Sequence, residues 1–185
     1  MRRDTAIKAI YNIFPADTLF IFANGRNNRE GYVTEDRVGN FYMLSSMGKA
    51  ASIGLGVALA RQKRKVAVVD GDGNALMNLD NFAMIGYCKP ENLTHIVLDN
   101  KEHATTGGQS SHTTKIDLSE VARACGYKAV SVKDEKGLER ALTNCRDGGP
   151  YFVLAHISKE RYEVARTPHR PPEEIRDRFM KAARR

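Results

Sequence analysis

Cysteine is scarce in this chain and follows no metal-binding pattern: Cys88, Cys125 and Cys145 stand far apart, and no C-x-x-C occurs. That argues against a cysteine-held metal centre and a disulfide framework, and it fits a reduced, cytoplasmic protein. Tryptophan is absent. Long apolar runs are missing too. The most apolar stretch, Met43–Ala60, is interrupted by Lys49 and rich in Gly, Ala and Ser, so it makes a poor membrane span. Met1-Arg-Arg-Asp leads straight into an amphipathic segment, which is not the layout of a secretory signal. There are no internal repeats and no low-complexity tracts.

The 185 residues that remain, 42% hydrophobic and 28% charged, suffice for one domain or slightly more with a real core. The net charge is +7, and residues 158–185 hold nine Lys/Arg against five Asp/Glu. A basic excess can serve nucleic acid, an anionic substrate or an acidic partner. The mixed signs read more simply as a solvated helix, so nucleic acid is not the expected partner.

The stretch Val66–Asn100 organises the rest. Val66–Val69 and Leu93–Leu98 are short, β-branched-rich runs bounded by turn residues, the mark of strands buried on both faces. Between them Leu76, Met77, Leu79, Phe82, Ala83, Ile85 and Gly86 recur at helical spacing. The result is a βαβ unit with parallel strands, and it places Asp72 and Asn100 at C-terminal strand ends, where open α/β sheets bind ligands. Asp72 supplies charge for a hard divalent cation such as Mg²⁺, and Asn100 supplies a neutral oxygen. Gly71 and Gly73 let the backbone turn and come close to a phosphate. The helix opening near Asn74 offers free N–H groups to the same anion.

Elsewhere, Ala6–Phe14 reads as an amphipathic helix stopped by Pro15, and Thr18–Phe22 as a buried strand. A polar loop, Asn24-Gly25-Arg26-Asn27-Asn28-Arg29-Glu30, follows that strand. Asn40–Ser45 is expected to be a strand, and Ser46-Met47-Gly48 to open a helix reaching Gln62. Gly54 and Gly56 inside that helix each cost up to about 1 kcal/mol, which close packing must offset. On the residues alone Met47 reads as a core methionine. His103 to Thr114 has no apolar period and reads as a functional loop, in which His103 and His112 could polarise a carbonyl or carry a proton. A helix from Asp117 to Gly126, a strand Ala129–Val132, a helix Glu135–Cys145 and a buried strand Tyr151–Ile157 complete the pattern. Pro168, Pro171 and Pro172 precede a terminal helix. The expected fold is a doubly wound α/β domain over 1–157, with a mostly parallel sheet of about six strands and helices on both faces, plus a basic tail over 158–185.

The Gly71-Asp72-Gly73 to Asn100 segment resembles the diphosphate-binding domain of thiamine-diphosphate (ThDP) enzymes. That resemblance implies that Asp72, Asn100 and the main-chain carbonyl of Glu102 hold Mg²⁺ on the cofactor diphosphate. Asp99 departs from the second Asn of many members. Met47 stands where the family carries the large aliphatic residue that wedges the cofactor into its bent shape, and Ser45 would offer its carbonyl to the 4′-amino group. The Asn24–Glu30 loop is similar to the Thr-Gly-Lys-Thr-Ser-Arg-Glu stretch of phosphonopyruvate decarboxylases, which faces the diphosphate. Gly25, Arg29 and Glu30 match, whereas Asn24, Asn27 and Asn28 replace hydroxyl residues. The Thr106-Gly107-Gly108-Gln109 tetrad, with SMG, IGLG, GDG and ALMNL, looks like that of sulfopyruvate and phosphonopyruvate decarboxylases.

In that family the glutamate that activates the cofactor lies on a separate pyrimidine-binding domain, and nothing here matches one. The resemblance therefore implies a β subunit that pairs with a pyrimidine-binding α subunit of similar size, as (αβ)₂ or larger. The implied reaction converts a small anionic 2-oxoacid, sulfopyruvate or phosphonopyruvate, to an aldehyde and CO₂. Two alternatives are another ThDP reaction, either acetolactate-type carboligation or 2-oxoacid oxidation, and a non-catalytic basic binding module. The oxidoreductase subunits often carry iron–sulfur cysteines, which the scattered cysteines here do not supply.

Overall fold

A computed structural model describes residues 1–145, 148–159, 168 and 170–184 of the chain. In chain order the helices are α1 (Arg3–Ile13), α2 (Arg26–Thr34), α3 (Ala50–Ala60), α4 (Asp72–Leu76), α5 (Asp80–Cys88), α6 (Leu118–Ala124), α7 (Glu135–Asn144) and α8 (Pro172–Arg184). The strands are β1 (Leu19–Phe22), β2 (Asn40–Tyr42), β3 (Val66–Gly71), β4 (Leu93–Asp99), the two-residue β5 (Glu102–His103) and β6 (Gln109–Ser110), β7 (Lys128–Val132) and β8 (Tyr151–His156). Six of them form one parallel sheet in the order β2-β1-β3-β4-β8-β7, and β5 and β6 make a small antiparallel hairpin. Part of the basic tail, residues 160–167, lies outside the described residues.

Alternation along each strand feeds two cores. Leu19 and Ile21 of β1, with Val66 and Val68 of β3, face a core built with α3, α5, α6 and α8. Phe20 and Phe22, with Ala67 and Val69, face the opposite core built with α1 and α7. Helices thus cover both faces, which is why the central strands read as unbroken apolar runs. Gly54 explains one small residue of α3: a Cβ there would stand 2.2 Å from Val68 Cγ2, so the helix lies close on the sheet. Gly56 faces open space. One polar pair crosses the core, with His95 Nε2 3.3 Å from Asp70 Oδ2, both side chains buried. Asp70 Oδ1 also accepts the Gly71 N–H, which fixes the strand end just before the Gly-Asp-Gly turn.

The largest departures from the sequence reading have local reasons. β2 stops at Tyr42, and α3 begins at Ala50, because Ser46 (φ 59°) and Gly48 (φ 88°) take left-handed backbone that no helix accommodates. The stretch Asn24–Glu30 is a loop only to Gly25; α2 begins at Arg26. Its buried residues are Asn27, Asn28, Glu30 and Gly31, an inward face without apolar period. The helix of the βαβ unit is broken in two, as α4 ends at Leu76 and α5 restarts at Asp80. The terminal helix α8 buries Ile175, Phe179, Ala182 and Ala183, and Phe179 meets Phe41 of β2 at a ring separation of 5.4 Å. Arg170 and Arg178 both reach Asp36 Oδ2, at 2.8 and 3.1 Å, tying this helix to the loop before β2. Among the described residues no helix is long and apolar enough to cross a membrane.

Candidate functional site

The sheet order reverses at one place. The chain leaves β1 to one side, forming β2, and returns through α3 to lay β3 on the other side of β1. The connections after β1 and β3 therefore diverge, and a crevice opens at their C-terminal ends, the usual ligand position in such sheets. A small cavity of about 60 Å³ occupies it. The β1–α2 connection contributes Asn24, Gly25, Arg26 and Asn27, and the β3–α4 connection contributes Gly71 to Asn74. Asn100, Glu102, His103, Ala104 and Thr105 close it from β4, and Met47 and Arg3 enter from the sides. Gly25 has φ 99°, a left-handed conformation that suits glycine and turns the α2 N-terminus towards the crevice. The nine-residue α2 thus offers N–H groups to an anion more effectively than the five-residue α4, which starts at Asp72 rather than near Asn74.

At the floor, a carboxylate, a carboxamide and a main-chain carbonyl converge. One terminal atom of the Asn100 amide lies 3.1 Å from Asp72 Oδ1 and 2.9 Å from the Glu102 carbonyl oxygen. If that atom is nitrogen it donates to both; if it is oxygen it accepts the Glu102 N–H at 3.3 Å, and a cation would bring it together with the two neighbouring acceptors. Neighbouring ligands of an octahedral Mg²⁺, each about 2.1 Å from the metal, stand about 3 Å apart, as the Asn100 atom does from each of its two neighbours. The donor set is all oxygen, the preference of a hard divalent cation. Asp72 is 3% exposed. Burial raises its carboxyl pKa above the ordinary value, the Ser111 hydroxyl and the Gly73 N–H pull it down, and the nearby Asp99 charge raises it further. A carboxylate disfavoured in this way gains more from a bound cation than an exposed one does.

Lys101 (φ 61°) is also left-handed, and the turn it makes carries the Glu102 carbonyl to Asn100. The Asp99 carboxylate stabilises that turn by accepting the Lys101 N–H at 2.9 Å. Asp99 also accepts the Thr113 hydroxyl at 2.8 Å and stands 3.3 Å from His156 Nδ1. It serves this scaffold, beside the three converging oxygens rather than among them.

The turn carrying Met47 is clamped from α4 and α5. Asn74 Oδ1 accepts the Gly48 N–H at 3.0 Å, Asn81 Nδ2 donates to the Gly48 carbonyl at 3.2 Å, and Ser52 holds Asn81 at 2.7 Å. Those bonds span the break between α4 and α5 and fix Met47 over the crevice. A Cβ on Gly73 would stand 2.7 Å from His103 Cε1 and 3.1 Å from Met47 Cε, so this glycine is the floor on which both side chains rest. Gly73→Ala is expected to leave the melting temperature of the unliganded protein within about 3 °C, because both obstacles are side-chain ends that can swing aside. The displaced pair then fills the crevice, and affinity for ThDP plus Mg²⁺ should fall about tenfold or more in calorimetric titration. Adding His103→Ala should restore part of it.

The structure gathers most sequence-predicted site residues and leaves some apart. Asn24, Gly25, Asn27, Met47, Gly71, Asp72, Gly73, Asn74, Asn100, Glu102 and His103 line the crevice. Ser45 is exposed and outside the lining, and His112 is exposed on a 3₁₀ turn. Thr106 and Gly107 sit at the hairpin tip, where Thr106 Oγ1 bonds the His103 carbonyl and Gln109 Oε1 at 3.0 and 2.9 Å; neither lines the crevice. Asn28 donates to the Met43 carbonyl at 2.7 Å and supports β2. Sequence reasoning missed Arg3, which reaches the crevice from α1 and donates to Asn27 Oδ1 at 3.1 Å. It also missed Ser111 and Thr113, the hydroxyls at Asp72 and Asp99. The latter stood in a loop already marked as functional, but no local pattern singled them out.

Comparison with known proteins points the same way. The family described as "Thiamine pyrophosphate enzyme, C-terminal TPP binding domain" matches residues 27–155. Phosphonopyruvate decarboxylase from Streptomyces viridochromogenes is 40% identical over 179 residues, 96% of this chain and 45% of that protein. Sulfopyruvate decarboxylase subunit beta from Methanocaldococcus jannaschii is 35% identical over 185 residues, 100% of this chain and 98% of that subunit. The subunit of the same description from Methanothermobacter thermautotrophicus is 39% identical over 184 residues, 100% of this chain and 96% of that one. The chain therefore spans about half the length of the first relative and nearly all of the other two. Among solved structures, benzoylformate decarboxylase from Polynucleobacter necessarius shares the fold with a TM-score of 0.74 at 15% identity, over 86% of this chain and 34% of that one.

Proposed function

Because this chain belongs to the thiamine pyrophosphate enzymes, in the sulfopyruvate/phosphonopyruvate decarboxylase branch, we propose that it is the diphosphate-binding β subunit of a two-subunit 2-oxoacid decarboxylase. The observation that carries this reading is the meeting of Asp72, Asn100 and the Glu102 carbonyl at the sheet's reversal point, below the N-terminus of α2. These three groups would hold Mg²⁺, and through it the cofactor diphosphate. The α2 N–H groups, with Asn24 and Asn27, would bind the phosphate oxygens. Bound ThDP supplies a nucleophilic carbon and an electron sink for loss of CO₂. Met47, fixed by Asn74 and Asn81, would support the cofactor rings, and Ser45 would stand beside them on the exposed rim.

Arg3 and Arg26 place positive charge at the crevice, which suits a substrate with two anionic ends. His103 is the ring nearest the Gly-Asp-Gly floor and would serve as hydrogen-bond donor or proton carrier to the reacting oxygen. His112, Thr106 and Gly107 would act only through the loop that bears them. The activating glutamate belongs to a pyrimidine-binding α subunit in a hetero-oligomer, consistent with a chain that matches a β subunit almost end to end but only 45% of a single-chain relative. Residues 1–157 would carry the cofactor, and α8 of the basic tail over 158–185 would brace the β2 edge.

The test is reconstitution. The chain is co-expressed with a candidate α subunit, and aldehyde release is measured from sulfopyruvate and from phosphonopyruvate with ThDP and Mg²⁺. Activity should require both chains, each alone giving under about one-thousandth of the assembled rate. Full turnover by this chain alone would overturn the two-subunit reading. Failure of ThDP plus Mg²⁺ to bind at all would overturn the site.

A further inference from the structure

Asp72 offers only one of its two oxygens to the converging ligand set. Its Oδ1 faces Asn100, while its Oδ2 accepts the Ser111 hydroxyl at 2.5 Å and has Thr113 Oγ1 at 3.4 Å. The two hydroxyls lie 2.7 Å apart, and Thr113 is held in turn by Asp99 Oδ1 at 2.8 Å. Ser111 is 1% exposed and Thr113 7%, so this is a buried polar cluster rather than a solvated edge, with the Ser111 proton given to Asp72 and the single Thr113 proton shared between Asp99 and Ser111. The main chain fixes the same leg of the loop, with the Ser111 N–H on the Lys101 carbonyl at 3.0 Å.

A free carboxylate turns broadly about its last torsion and can bind a cation through one oxygen or both. Mg²⁺ demands near-ideal octahedral geometry with one oxygen per position, whereas Ca²⁺ accepts more ligands and bidentate carboxylates. An Oδ2 tied to Ser111 cannot swing onto the metal. We propose that Ser111, backed by Thr113, is a positioning residue that holds Asp72 monodentate and so sets the site's preference for small octahedral cations over Ca²⁺. The inference rests on the cation site described under Proposed function. It adds a role to two hydroxyls that lie outside the crevice lining.

Mn²⁺, which is paramagnetic and shares the octahedral preference, is the probe. Its binding to the full chain in the presence of ThDP is measured by electron paramagnetic resonance, with and without competing Ca²⁺, for the wild type, Ser111→Ala, Ser111→Thr and Thr113→Val. Ser111→Ala is expected to weaken Mn²⁺ about 10- to 100-fold, the usual effect of losing a group that orients a metal ligand. Ca²⁺ should weaken much less, so that the preference for Mn²⁺ over Ca²⁺ falls about tenfold or more. Ser111→Thr keeps the hydroxyl and should restore both. A purely structural role would lower the folded fraction without moving the ratio of the two cations. Should Ser111→Ala fail to fold, Thr113→Val, which keeps the shape, is expected to shift that ratio about threefold in the same direction. A folded variant with an unchanged ratio would overturn the proposal. A wild type that binds no Mn²⁺ even with ThDP present would instead overturn the cation site itself.

Discussion

Replacing Asp72 by Asn should leave the unliganded protein at least as stable as the wild type near neutral pH, while abolishing the stabilisation conferred by ThDP plus Mg²⁺. The two halves of that result have one cause. Burial disfavours the Asp72 carboxylate, so its pKa in the folded protein lies above its unfolded value. Folding then takes up a proton between the two values, stability falls as pH rises through that window, and the deficit is present in full above it. Asn carries no charge to bury. Its amide can donate towards the Asn100 oxygen and accept the Ser111 hydroxyl, so the neutral side chain satisfies the pocket that the anion strains. The advantage of Asp72→Asn should therefore grow as pH rises through the acid range and then level off.

Ligand binding reverses the comparison. At a cofactor concentration about 100 times Kd, linkage gives the wild type about 2.7 kcal/mol. For a chain of this size that is a rise of about 5–10 °C in melting temperature. The variant should show none, and assembled with its partner it should lose about a thousandfold or more in turnover. Paired melting curves over pH, with and without ThDP plus Mg²⁺, read both halves. A variant that keeps the ligand-induced shift would mean that the cation is held elsewhere.

What could be read from the chain in advance was what local chemistry dictates. Asp72 and Asn100 were legible because each follows a β-branched run and precedes a turn, so strand direction alone puts them on one edge. The two-faced burial of β3 and β4 was legible for the same reason. The long-range partners were not. Ser111 reaches Asp72 only because the hairpin after β4 doubles back, and nothing in Ser-Ser-His-Thr-Thr encodes that return. Arg3 arrives from a helix 24 residues before Asn27. Left-handed Ser46 and Lys101 are invisible in sequence, since neither is glycine, yet they end β2 and aim the Glu102 carbonyl. Such backbone is held by its surroundings, here Asp99 beneath Lys101. α2 escaped notice because its inward residues are polar.

The glycines of α5 and α3 allow propensity and packing to be set against each other. Intrinsic helix propensity favours Ala over Gly by about 1 kcal/mol at an interior position. A Cβ on Gly86 would nevertheless stand 1.7 Å from the Cys125 carbonyl oxygen and 2.7 Å from its carbon, where α5 meets the end of α6. A main-chain carbonyl has no rotamer by which to move away, so the helices must separate. Gly86→Ala is expected to cost at least about 3 kcal/mol, lowering the melting temperature by about 6–12 °C or preventing accumulation of folded protein. Against a total stability of about 5–15 kcal/mol that is a large share. Gly54→Ala should also destabilise, because its Cβ meets Val68 Cγ2 at 2.2 Å, but there the obstacle is a side chain that can be shortened. Val68→Ala introduced with Gly54→Ala should recover about 1 kcal/mol relative to the sum of the single changes, a coupling that urea melts of the four proteins would measure. No side-chain change at Cys125 should rescue Gly86→Ala, since the atom in the way belongs to the main chain. Recovery there would place the contact in the Cys125 thiol and not in the carbonyl that α5 needs glycine to approach.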